Sequence, residues 1–131
     1  LYTIDINPEM QDFTMPYFEE AGLRDKIMML TGNAGEIIEN LPGPFDLVFI
    51  DADKESYISY FDQVLPKVTP GGYILIDNTL WYGSVLKPTA ETDRETAGIV
   101  SFNEYVLQHN EVDNMLLPIR DGITLARKKP E

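Results

Sequence analysis

The chain has 131 residues, 44% hydrophobic and 24% charged, which suits one globular domain long enough to bury a core. Ten Lys and Arg against 22 Asp and Glu leave a net charge of -12, which argues against a nucleic-acid backbone or an anionic lipid surface as partner. With no cysteine, disulfides, zinc–thiolate sites, iron–sulfur clusters and a cysteine nucleophile are excluded, and no apolar run approaches the ~20 residues of a membrane helix.

The chain opens on Leu1, not Met, and Leu1–Ile6 already reads as a buried strand. A domain that opens in mid-strand is expected to have lost its true N-terminus, so targeting signals cannot be judged from it. Asn7 then predicts a helix cap with Pro8 in the first turn. Phe13, Tyr17, Phe18 and Ala21 recur at helical spacing, Gly22 ends the helix, and Pro16 predicts a kink or break inside it. Lys26–Leu30 predicts a short strand, Gly32–Gly35 a turn, and Glu36–Leu41 a short helix.

Phe45–Ile50 is a strong buried strand stopped by Asp51. Lys54–Val68 predicts a helix with Tyr57, Tyr60, Phe61, Val64 and Leu65 on one stripe. Pro70-Gly71-Gly72 turns the chain into strand Tyr73–Ile76, which Asp77-Asn78 stops, and a long loop runs from Thr79 to Thr92. A helix over Ile99–Gln108 precedes strands Val112–Ile119 and Gly122–Arg127, joined by the hairpin-like turn Arg120-Asp121-Gly122. This alternation predicts an α/β domain on a mostly parallel sheet. The last two strands have no helix between them, so one of them should run antiparallel.

In open α/β sheets, ligands bind beyond the carboxyl ends of the strands. The residues just past the strands here are Asp5, Gly32-Asn33-Ala34, Asp51-Ala52-Asp53-Lys54 and Asp77-Asn78, and they are expected to converge on one rim. Asp51, Asp77 and Asn78 are hard oxygen donors that suit Mg²⁺ or Ca²⁺. Taken singly, the plainer reading is that Asp51 caps a helix and Asp77-Asn78 makes a turn. Lys54 stands in the first turn of its helix, where a cation is disfavoured. It reads either as a functional base near a substrate hydroxyl or as a solvated lysine offset by Asp53 and Glu55. Asp5 ends a strand as a ribose-binding acid does, but the glycine fingerprint of a dinucleotide site is missing upstream. Trp81 and Tyr82 could wall a planar substrate or simply pack their loop. His109, the only histidine, lies at a helix end and is not assigned to catalysis.

Three stretches, FDLVFIDADKESY, PGGYILIDNTLWYGSV and the terminal PIRDGITLARK, closely resemble the cation-dependent O-methyltransferases of the caffeoyl-CoA and catechol type, which use S-adenosylmethionine. LYTIDINPE is similar to that family's second strand. The likeness runs along essentially the whole chain and covers the C-terminal part of a family member. It implies that residues 1–131 form one Rossmann-like α/β methyltransferase domain, mostly parallel with an antiparallel C-terminal strand, lacking the N-terminal helices, the first strand and its glycine motif. It implies Asp51, Asp77 and Asn78 as ligands of Mg²⁺ (or Ca²⁺ or Mn²⁺) and Lys54 as general base. Asp5 would hold the cofactor ribose, Asn33 and Ala34 would line the adenine, and Asp51 and Asp53 would lie near the cofactor's methionine end. Trp81 and Tyr82 would border the acceptor, a catechol-like or hydroxycinnamoyl-type hydroxyl. A cytoplasmic homodimer is also implied. Plant caffeoyl-CoA enzymes commonly carry Asn at the position of Tyr82, and the catechol enzyme has His and Trp at Ala52 and Asp53, so the caffeoyl-CoA and bacterial branch is the nearer one.

The family's first strand lies in mid-sheet. Without it, Leu1–Ile6 and Phe45–Ile50 are expected to carry unpaired edges. Three other readings compete. A phosphatase with an aspartyl nucleophile fits Asp51-Ala52-Asp53 but expects Thr or Val where Glu55 stands. A non-catalytic fragment could keep the metal rim without holding the cofactor. A nicotinamide dehydrogenase explains Asp5 but leaves Asp77-Asn78 idle.

Overall fold

The computed structural model describes residues 1–87 and 93–130. The chain divides into two compact units, Leu1–Leu41 and Pro42–Glu131. The first holds β1 (Tyr2–Asp5), α1 (Glu9–Glu20), β2 (Met28–Thr31) and α2 (Ala34–Asn40). β1 and β2 pair in parallel, with Asp5 opposite Thr31. Asn7 sets up the start of α1 by accepting the Glu9 amide at 3.0 Å. α1 runs on through Pro16, so the expected break is not there. Pro16 and Asp12, the residue whose carbonyl loses its helical amide partner, are both exposed. Ile38 is the single buried residue of this unit among the described residues.

The second unit holds β3 (Phe45–Ile50), a 3₁₀ turn at Lys54–Ser56, α3 (Tyr57–Val64), β4 (Val68–Asp77), a 3₁₀ segment at Trp81–Leu86, α4 (Arg94–Leu107), β5 (Val112–Leu117) and β6 (Ile123–Lys128). Its strands are ordered β3-β4-β6-β5. β3 and β4 are parallel, and β6 runs antiparallel to both β4 and β5. The C-terminal strand is thus the one that opposes the rest. Within the second unit, β3 pairs with β4 on one side among the described residues.

Smaller shifts of one or two residues aside, three boundaries of the second unit differ from expectation, each for a physical reason. The helix expected over 54–68 is a shorter α-helix between two 3₁₀ turns, the second at Leu65–Lys67 with Pro66 near its start. β4 starts at Val68, five residues before Tyr73. Phe45 faces Val68 and Leu47 faces Tyr73, so Thr69–Gly72 bulges out of the register and Gly71 supplies a φ of +81°. α4 starts at Arg94 because Asp93 caps it, accepting from both the amide and the hydroxyl of Thr96 at 2.8 Å. The loop expected from Thr79 to Thr92 contains the 3₁₀ segment, and its residues 88–92 lie outside the described part.

Period-two alternation splits the four-stranded sheet into two faces. Ile50, Ile74, Ile76, Thr124 and Ala126 are buried on one, together with the predicted α3 stripe and Ile99, Phe102 and Val106 of α4. Phe102 sits edge-on to Tyr57 and Phe61, with ring centroids 5.7 and 5.9 Å away. Leu47, Phe49 and Met115 point to the opposite face and stay exposed. The core therefore lies under α3 and α4, and it holds the start of α3 against the ends of β3 and β4.

Candidate active site

β3 and β4 deliver Asp51, Asp77 and Asn78 to one end of their parallel pair. Lys54 begins the turn that follows β3, and it is buried, 6% exposed. That excludes the solvated-lysine reading. Its ammonium donates to Asp51 Oδ1 at 3.0 Å, Asn78 Oδ1 at 2.7 Å and the Tyr57 hydroxyl oxygen at 2.6 Å. Three donors meet three acceptors, so the buried charge is fully hydrogen-bonded. It also lies 5.7 Å from the centre of the Trp81 ring, within reach of a cation–π attraction.

Tyr57 is fully buried and donates its own proton to the Asp77 carbonyl at 3.1 Å. Burial, then the negative charges of Asp51, Asp77 and Asp53, pushes its phenol well above the usual tyrosine range. It therefore stays neutral, and toward Lys54 it is an acceptor. Asp53 is turned elsewhere: Tyr60 donates to its Oδ1 at 2.5 Å. Burial pushes the Asp53 carboxyl up, but hydrogen bonds from Ser56 and Tyr60 outweigh it and hold the group below the ordinary carboxylate value.

Two features of this rim were not singled out from the sequence. Asp121 lies in the turn between β5 and β6. Its carboxylate accepts the Tyr82 amide at 2.6 Å and lies 3.5 Å from Asn78 Nδ2, while its carbonyl accepts the Leu80 amide at 2.9 Å. Gly98 of α4 packs on the Lys54 turn so closely that a Cβ there would stand 2.6 Å from the Lys54 carbonyl oxygen. Nothing local in the sequence marks that approach. The segment after β4 is also strained: Asn78, Trp81 and Tyr82 have φ of +60°, +44° and +52°. Asn tolerates that region, whereas two consecutive aromatics rarely adopt it.

The remaining expected residues fall as follows. Trp81 is half-buried, and Tyr82 is exposed with its ring 5.8 Å from that of Trp81. Asp5 and Asn33 share one end of the β1-β2 pair, where Gly32 N donates to the Asp5 carbonyl at 3.0 Å. Asp5 Oδ1 accepts the Asn7 amide at 2.8 Å, and Asn33 Oδ1 accepts the Gly35 amide at 2.9 Å to cap α2, whose first residue is Ala34. His109 stacks edge-on against Phe61 and Tyr105, a packing role.

The donor set of Asp51, Asp77 and Asn78 fits a hard divalent cation, because Asp51 Oδ1 and Asn78 Oδ1 already converge within 3.0 Å of one cationic nitrogen. The set has two carboxylates and one amide. No group of three or more His, Cys, Asp or Glu able to hold a metal occurs among the described residues.

The family model for O-methyltransferases matches residues 1–129. The chain belongs to the O-methyltransferase family. Caffeoyl-CoA O-methyltransferase 1 of Eucalyptus globulus is 35% identical over 140 residues, covering 98% of this chain and 56% of the relative. The caffeoyl-CoA O-methyltransferase of Petroselinum crispum is 33% identical, covering 98% and 58%. The chain thus spans a little over half the length of these relatives. Among solved structures, an O-methyltransferase of Bacillus cereus in complex with S-adenosylhomocysteine superposes with a TM-score of 0.87 at 31% identity, covering 98% of this chain and 62% of that one. The O-methyltransferase of tomaymycin synthesis from Streptomyces achromogenes, in complex with S-adenosylmethionine, superposes at 0.89 with 27% identity, covering 98% and 61%. The family shares its α/β Rossmann-like methyltransferase fold with this chain. No helix among the described residues is long and apolar enough to cross a membrane.

Proposed function

We propose that this chain carries the metal rim and part of the cofactor rim of an S-adenosylmethionine-dependent, divalent-metal-dependent O-methyltransferase. Its acceptor would be a catechol-like or hydroxycinnamoyl-type aromatic hydroxyl. The observation that carries the reading is the buried Lys54 drawn onto Asp51 and Asn78 at the end of β3-β4. Family membership gives that cluster its chemistry.

A divalent cation held by Asp51, Asp77 and Asn78 would supply the charge that favours the ionised acceptor hydroxyl. S-adenosylmethionine would supply a methyl group already activated as a sulfonium. The chain's own residues do the positioning. Asp5, at the end of β1, would bind the cofactor ribose diol through its carboxylate. Asn33 and Ala34 stand beside it at the start of α2, where the adenine would lie. By the family resemblance, Asp51 and Asp53 would take the methionine end. Trp81 walls the acceptor ring, and the exposed Tyr82 borders its entry. As the neutral amine, after releasing one proton to solvent, Lys54 Nζ would take the acceptor hydroxyl proton, and the oxygen that gains the methyl group would end as a neutral ether.

The test is methyl transfer from labelled S-adenosylmethionine to caffeoyl-CoA and to catechol, with Mg²⁺ and with EDTA. Transfer is expected with Mg²⁺ and is expected to vanish with EDTA and in Asp77→Ala. Transfer that survives both EDTA and Asp77→Ala would sink the metal assignment.

A further inference from the structure

We infer that Lys54 is the resident counter-cation of this oxygen cluster and competes with the divalent ion for it. The inference rests on the metal reading above and deepens it. Lys54 Nζ is bound to Asp51 Oδ1 and Asn78 Oδ1. Those are two of the three oxygens that the ion would take, so both cations cannot hold them at once. For the ion to enter, the ammonium has to leave them.

The geometry shows what stays behind. An ammonium has three N–H donors, and here each has one acceptor. Two of those acceptors belong to the ion's ligand set, and the third is the Tyr57 hydroxyl. Tyr57 is not a ligand candidate, is fully buried, and is pinned by its bond to the Asp77 carbonyl and by the Phe102 ring. It can retain Lys54 after the other two contacts break. The cluster is also poised for exchange in charge. Lys54 offsets one of the two carboxylates, Asp51 and Asp77, so the site remains negative and attracts a divalent ion, yet the ion must still displace a buried, fully bonded ammonium. A lysine that served only as a neighbouring base would carry no such penalty. The side-chain amide of Asn78 is turned to match: its Nδ2 faces Asp121 and its Oδ1 faces the cation position.

The test is calorimetric titration of Mn²⁺ alone into the unmodified chain and into Lys54→Met, with Asp77→Asn as the control for the ligand set. Lys54→Met is expected to bind Mn²⁺ about tenfold tighter or more, since the competing charge is gone. Equal or weaker binding by a folded Lys54→Met overturns the competition while leaving the metal site in place. No saturable binding by either protein overturns both the competition and the metal reading. If Lys54→Met does not fold, the unmodified chain decides. Reductive methylation of Lys54, read by peptide mass spectrometry, should speed up severalfold at saturating Mn²⁺ while the other lysines stay constant. An unchanged Lys54 rate at saturation overturns the inference.

Discussion

The two units hold their candidate residues by different means. In Leu1–Leu41, Asp5 and Asn33 accept amides two residues along the chain, and Ile38 is the single buried side chain among the described residues. In Pro42–Glu131, Lys54 reaches Asn78 across 24 positions, over a core of Tyr57, Phe61, Phe102 and the sheet. A residue that caps its own turn needs only its neighbours. A side chain that bridges two strand ends needs the core that brings those ends together. The difference teaches that order at a functional rim follows the packing beneath it: the first rim is locally made, the second globally.

The largest test of that comparison is Phe102→Ala. Phe102 is fully buried and edge-on to Tyr57, the residue that orients Lys54. Its removal should cost about 3–5 kcal/mol, read by chemical denaturation through the fluorescence of Trp81, the only tryptophan and a member of the same unit. A cost under about 1 kcal/mol would break the claim that the core organises this rim.

A smaller effect is expected in the first unit. Asn33→Ala should cost about 1 kcal/mol through loss of the α2 cap. Hydrogen exchange should show it as faster exchange at the Gly35 and Glu36 amides, with the Trp81 transition unmoved. A shift of that transition would show that the two rims are not independently held.

The smallest effect is alkaline. The hydrogen bond to Asp62 first, then burial, pushes the Tyr105 phenol from 10.0 up to about 12. The fold keeps this phenol neutral while the unfolded chain ionises it, so the stability present below pH 10.0 is lost as pH rises toward about 12. Thermal midpoints should fall less steeply over that window in Tyr105→Phe. Some slope should remain, because burial and the charges of Asp51, Asp77 and Asp53 raise Tyr57 as well. An identical slope in Tyr105→Phe would remove the α3–α4 bond between Tyr105 and Asp62 from the stability of this unit.

Much of this was legible in the residues. Phe45–Ile50 is a strand to the residue, but not the buried one its apolar run implied, since Leu47 and Phe49 are exposed; the stripe of Tyr57, Tyr60, Phe61, Val64 and Leu65 is buried as its spacing implied. Asp93 three positions before Thr96 was a readable cap that would have started α4 at the right place. The early start of β4 was not readable, because Pro70-Gly71-Gly72 signals a turn and only pairing with β3 turns it into a bulge. Asp121 was hidden for a similar reason: an Asp before Gly in a hairpin turn looks like turn chemistry, and its bond to Tyr82 exists only because the β5–β6 turn meets the segment after β4.

By itself the sequence determined the alternation of strands and helices and which acids stop the strands. Periodicity, caps and strand ends depend on residues within a turn or two of one another. Tertiary structure alone decided that Lys54 is buried and that each of its three protons has an acceptor. Burial and hydrogen-bond satisfaction depend on which distant segments meet, here β3, β4 and an α4 admitted to the Lys54 turn by the missing side chain of Gly98.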